Sequence, residues 1–183
     1  EIKKIHNLGQ NDFGESKFQE GFEKQKALKD YKEIKWHFIG RIQSNKIRKI
    51  VQNFQFIHSV DSFEKLGKIS CISLEEMKNP SIMLQVKFSN DPNKGGISPK
   101  SLFESWNEIK AIKNLNITGL MTINPKGLSS YENERLFKEC RALADSLSLP
   151  ECSMGMSDDW EEAISAGSTW VRLGSIIFGN RFT

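Results

Sequence analysis

Histidine, cysteine and tyrosine are scarce in this chain. Three histidines, His6, His37 and His58, leave little material for a metal centre. The three cysteines, Cys71, Cys140 and Cys152, are far apart, odd in number and without a CxxC pair. That excludes a disulfide framework and a zinc site, and points to reduced thiols in a cytoplasmic protein. The net charge is only +3, so no large electrostatic footprint for nucleic acid is present. The basic run Lys46, Arg48, Lys49 is most simply a solvated helix face. No apolar run reaches membrane-spanning length and no signal-peptide pattern opens the chain, so neither a membrane nor a nucleic acid is an expected partner. There is also no low-complexity tract or linker. At 183 residues the chain is expected to form one core and one domain, 1–183.

What the chain does have is alternation. Apolar runs suited to buried parallel strands occur at Asp12–Gly14, Trp36–Gly40, Phe56–Val60, Ile82–Phe88, Ile117–Ile123, Cys152–Met156 and Trp170–Gly174. Helical patterns lie between them at Ser16–Leu28, Gln43–Asn53, Ser62–Glu76, Pro99–Lys113, Tyr131–Leu147 and Asp159–Ala166. Asn90–Gly96, rich in Asn, Asp, Pro and Gly, is expected to be a loop. This is the pattern of a parallel sheet with helices outside it. Glu1–Leu8 resembles the last turns of a helix closed by Gly9, with no strand before it. Seven strands are one short of a closed (β/α)8 barrel, so the economical expectation is a first strand N-terminal to Glu1. An open seven-stranded sheet is the alternative.

The last two strands end in Ser153-Met154-Gly155-Met156-Ser157 and Arg172-Leu173-Gly174-Ser175. Glycine lets backbone N–H groups approach an anion closely, serine adds a hydroxyl, and a following helix brings partial positive charge. Two such turns in the final units of a barrel suggest a phosphate cradle. Alone, Ser157 would read as an ordinary helix N-cap, because Asp158, Asp159 and Glu161 follow it. Arg172 alone would read as a strand-end arginine paired with a surface carboxylate.

Several blocks carry a resemblance in order and over nearly the whole chain. They are Phe13-Gly14-Glu15, Trp36-His37-Phe38-Ile39-Gly40 with Gln43-Ser44-Asn45-Lys46, and His58-Ser59-Val60-Asp61-Ser62. Gly119-Leu120-Met121-Thr122-Ile123, the Ser153–Ser157 block, and Gly167-Ser168-Thr169-Trp170-Val171-Arg172 through Phe178-Gly179 complete the set. Together they resemble the pyridoxal phosphate homeostasis (YggS/PROSC) proteins. The resemblance implies an α/β (β/α)8 TIM-type barrel of the alanine racemase N-terminal domain type, lacking its first strand here, which holds pyridoxal 5′-phosphate (PLP). It implies a monomer that stores or delivers PLP, with PLP-dependent apoenzymes as further partners and no turnover of its own. The Schiff-base lysine of the family would lie upstream of Glu1, since Lys3 and Lys4 sit inside the first helix. No catalytic residue is therefore assigned.

By the same resemblance Ser157, Gly174 and Ser175 hold the phosphate and Arg172 faces the pyridine nitrogen. A permanent cation there disfavours ring protonation and weakens the ring as an electron sink. His37 and Met121 would lie near the ring, with core histidine and core methionine as their simpler readings. Ser16 stands where the family commonly has asparagine, and Lys87 follows Gln85-Val86 where asparagine is common. Asn45 and Lys46 suit an anion at a helix start or, more simply, a solvated face. Two rival functions remain. A racemase-like PLP enzyme would need a second acid/base, and Tyr31 and Tyr131 both fall in helical patterns. A cofactor-free phosphate-binding enzyme would have only Glu15, His37 and Asp61 as strand-end candidates.

Overall fold

The computed structural model describes residues 1–89, 95–112 and 114–179. Seven strands appear where the apolar runs predict them: β1 (Asp12–Glu15), β2 (Lys35–Phe38), β3 (Phe56–Val60), β4 (Ser81–Gln85), β5 (Asn116–Met121), β6 (Glu151–Met156) and β7 (Trp170–Arg172). They form one sheet in sequence order, every neighbouring pair parallel. The helices are α1 (Ile2–Asn7), α2 (Phe18–Ala27), α3 (Ile47–Asn53, after a 3-10 turn at Ser44–Lys46), α4 (Phe63–Glu75), α5 (Pro99–Lys110), α6 (Ser130–Ser146), α7 (Trp160–Ser165) and α8 (Ser175–Phe178). The last of these, α8, is too short to leave a periodic trace in the sequence. Of the expected loop Asn90–Gly96, residues 90–94 lie outside the described residues, as does Lys113.

Local chemistry sets the helix starts. Ser62, Ser98 and Ser129 each accept a backbone N–H in the first turn. Ser129 and Glu132 complete a reciprocal capping box; each such cap is worth about 1 kcal/mol. β4 stops earlier than the apolar run implies, because Val86 leaves the ladder to bridge Ile97. Gln85 then donates its amide to the Gly95 carbonyl at 2.8 Å, and Lys87 N–H to the Ile97 carbonyl at 3.0 Å. The basic run is not simply solvated either: Arg48 reaches across to Glu75 and Glu76 and ties α3 to α4.

Strand alternation sorts side chains onto two faces. Trp36, Phe38, Ile57, Ile82, Leu84, Leu120, Cys152 and Met154 belong to the apolar core between sheet and helices. The intervening His37, His58, Met83, Met121 and Ser153 are equally buried but lie outside that cluster. Residues from distant strands meet on this second face. His58 of β3 bonds Ser153 of β6 at 2.8 Å, and the rings of His37 on β2 and Trp170 on β7 lie 5.1 Å apart. The sheet is therefore not open but curled into a nearly closed parallel barrel, as the eight-unit reading expects. Among the described residues β1 and β7 share no ladder.

Candidate functional site

The inside of the barrel is polar along one line. Asp12 Oδ1 lies 3.1 Å from His37 Nε2, and His37 Nδ1 lies 2.9 Å from His58 Nε2. His58 Nδ1 is 2.8 Å from Ser153 Oγ, to which Arg172 Nη1 donates at 2.8 Å. The second guanidinium nitrogen, Nη2, donates to the Thr122 carbonyl at 2.9 Å. The His37 ring also stacks flat on Phe56, with centroids 4.1 Å apart. Burial holds His58 well below its ordinary value, with the neighbouring His37 and Arg172 adding to the effect. Burial lowers His37 as well, against the opposing pull of Asp12. Both rings are neutral at pH 7. Burial likewise brings Arg172 down to about 10, with Asp159 opposing, so the guanidinium remains a cation.

The C-terminal mouth is built differently. Gly155 sits in β6 with φ +90°, and a Cβ there would lie 2.5 Å from the Ala163 methyl. Only glycine lets the strand turn so close to α7. The turn that follows presents the half-buried Ser157. Its Oγ receives the Gly174 N–H at 3.3 Å and the Ile176 N–H at 3.5 Å, both at the long end for such bonds. Ser157 is not the N-cap of α7: Asp159 takes that position, and its Oδ1 accepts the Met156 N–H at 2.6 Å. The Asp159 carboxylate is thereby drawn back onto β6. Gly174 and Ser175 are exposed beside it.

The structure thus joins Ser157 to Gly174, and Arg172 to the barrel interior. Among the described residues Arg172 bonds no carboxylate; a hydroxyl and a carbonyl hold it. His37 is a satisfied interior histidine within a larger chain. Met121 is fully buried, paired in the sheet with Gln85 and Ser153 and followed directly by Thr122. Ser16 lies apart from these hydrogen bonds; it lines a cavity of about 290 Å³ with Lys17, Phe18, Arg41 and Lys46. Asn45 is exposed in the 3-10 turn.

Apart from His37, the groups the rival functions need lie away from this interior chain. Glu15 pairs with Lys24 at 2.5 Å and Asp61 with Lys65 at 2.7 Å. Tyr31 lies in the turn after α2 rather than in a helix, edge-on to His6 with Lys3 over its ring. Tyr131 is 76% exposed on α6.

Asp12, His58, Ser153 and Thr122 were not singled out by sequence reasoning as site residues. A signal for two of them existed: Ile57-His58 and Cys152-Ser153-Met154, like Trp36-His37-Phe38, each place a polar residue inside an apolar strand. Such a residue needs a buried partner. Identifying that partner requires knowing that β3 and β6 face each other across the barrel.

Comparison with known proteins agrees with this architecture. Residues 2–181 match the model of the alanine racemase N-terminal domain. A pyridoxal phosphate homeostasis protein of Synechocystis is 46% identical over 187 residues, spanning 99% of this chain and 86% of that protein. The structure of PipY from Synechococcus elongatus with PLP bound superposes with a TM-score of 0.92 at 38% identity, covering 97% of this chain and 86% of PipY. PipY without PLP gives 0.94 at 40% identity, with the same coverage. Matched in sequence and backbone over almost its full length, this chain belongs to the pyridoxal phosphate homeostasis protein family.

Proposed function

We propose that this protein binds PLP at the C-terminal mouth of its barrel and serves to hold and hand on the cofactor rather than to turn over a substrate. The observation that carries the reading is the placement of Arg172. Its guanidinium is charged, fixed by Ser153 and Thr122, and has N–H groups left over for a ring nitrogen. Ser157 supplies the second anchor. The weak bonds it accepts from Gly174 and Ile176 mark backbone donors that can exchange a hydroxyl for a phosphate oxygen. Ser175, exposed at the start of α8, adds a further hydroxyl.

When bound, PLP supplies an aldehyde that condenses with amines and a ring that withdraws electrons. Against a ring so placed, Arg172 disfavours protonation of the nitrogen and so weakens that withdrawal. The protein's own groups then favour retention over carbanion chemistry. The positions of Tyr31, Tyr131, Glu15 and Asp61 support the same conclusion, since each is paired or turned away from Arg172. Among the described residues no helix is long and apolar enough to cross a membrane.

The test is a titration of the full-length protein with PLP, followed by absorbance, beside Arg172→Met and Ser157→Ala. Saturable binding that weakens in both variants is expected, with no conversion of L- to D-alanine by the loaded protein. Equal affinity in all three forms would sink the placement. D-alanine formation at enzymatic rates would favour the racemase-like reading.

A further inference from the structure

Resting on that reading, we propose that Asp12, His37, His58 and Ser153 are positioning residues for Arg172. They form a single one-way hydrogen-bond chain that runs through the barrel from the guanidinium to the Asp12 carboxylate. Four bonds make up the chain, at 2.8, 2.8, 2.9 and 3.1 Å from Arg172 to Asp12. They link β7, β6, β3, β2 and β1, so the chain crosses the whole sheet.

Its direction follows from what each end can do. A guanidinium only donates and a carboxylate only accepts. His37 must therefore carry its proton on Nε2 to serve Asp12, which leaves Nδ1 as an acceptor. His58 then donates from Nε2 to His37 and accepts at Nδ1. The Ser153 hydroxyl completes the sequence by donating to His58 while accepting from Arg172. With an ionised Asp12 and two neutral rings, this is the arrangement that satisfies all four bonds. Each bond polarises the next, so the half-buried positive charge at one end is answered by the carboxylate at the other without direct contact. The fit is tight: His37, His58 and Ser153 are each at most 3% exposed, so water does not substitute for a missing member.

The consequence for the ligand is specific. An arginine held by one carbonyl alone would be free to swing about that bond. Held also by Ser153, its remaining N–H groups keep one direction. The chain thereby sets how strongly Arg172 engages a ring nitrogen, although three of its four other members need never touch the ligand.

The experiment is nitrogen-15 NMR of the imidazoles in the full-length protein without PLP, for the unaltered chain, Ser153→Ala and Asp12→Asn, with PLP affinity measured on each. In the unaltered protein both His37 and His58 are expected to be protonated at Nε2. Asp12→Asn should disturb the His58 signals, although Asp12 does not touch that ring, and weaken PLP binding about threefold. Ser153→Ala should disturb His37, two links away, and weaken binding roughly tenfold, the scale of one hydrogen bond to a charged group. A proton on Nδ1 of either ring in the unaltered protein overturns the chain. So does an effect of each variant confined to its immediate neighbour, which is what local packing alone would give. Failure of the unaltered protein to bind PLP, with the tautomers as expected, rejects the ligand and leaves the chain standing.

Discussion

The barrel interior and its C-terminal mouth solve opposite problems. Inside, Asp12, His37, His58, Ser153 and Arg172 bond one another in series at 2.8–3.1 Å. At the mouth, Ser157 is held by two contacts of 3.3 and 3.5 Å, and Gly174 and Ser175 stand in solvent. A buried polar group without a partner costs about 1–3 kcal/mol, so the interior must be complete before any ligand arrives. The mouth can leave donors loosely used because water can serve them. Rigidity and receptivity are thus kept in separate places, with Arg172 the residue that belongs to both.

Removing an interior member should test this division most severely. His58→Leu strands both His37 Nδ1 and Ser153, and is expected to cost about 4 kcal/mol in chemical denaturation; a loss below about 1 kcal/mol would mean that the chain is not a structural unit. Gly155→Ala strikes the junction between the two regions. A left-handed backbone and a contact with Ala163 should together cost about 3 kcal/mol and displace Ser157, seen as lost stability and weakened PLP binding together. Arg172→Met separates the two effects: PLP affinity should fall about thirtyfold, the scale of hydrogen bonds from a charged group, in an equilibrium titration.

Ser157→Ala belongs to the mouth alone. It should change stability by less than about 0.5 kcal/mol while weakening PLP about fivefold; equal losses in both would erase the contrast. The gentlest perturbation is acid. His37 and His58 are held below their ordinary 6.5 in the folded chain, so the unfolded chain takes up protons first as pH falls. Stability should decline from about pH 6.5 downward and level off below the folded values. His37 is faced by Asp12, Lys35 and Glu151, and His58 by His37 and Arg172. Ser157→Ala should leave that profile unmoved and His58→Leu should flatten it, as read by melting temperature against pH.

The same contrast explains what the sequence disclosed. Strand and helix positions were legible because they rest on local periodicity; Phe56–Val60 is recovered residue for residue. That Ser157 and Gly174 share one end of the barrel was legible because strand-end glycine and serine carry a local chemical meaning and match a family block. The interior chain was not, although His37 was noted. Its meaning lies in partners 21 and 95 residues apart, and the curl that brings them together is a property of the whole sheet. Ser157 as a helix cap misled for a related reason: Asp159, two residues on, wins that position by bonding back to Met156.

The bond between His58 and Ser153 spans 95 residues, and that between Arg172 and Thr122 spans 50. Contacts of such sequence separation form late, after the entropy of closing long loops has been overcome. On the ribosome, His58 emerges long before the Ser153 that bonds it, and the guanidinium of Arg172 emerges later still. A nascent chain stopped short of residue 172 has neither a settled interior nor a cation at its mouth. Acquisition of the cofactor is in that sense a receipt for synthesis past the seventh strand: only a chain made beyond Arg172 can hold what it was made to carry.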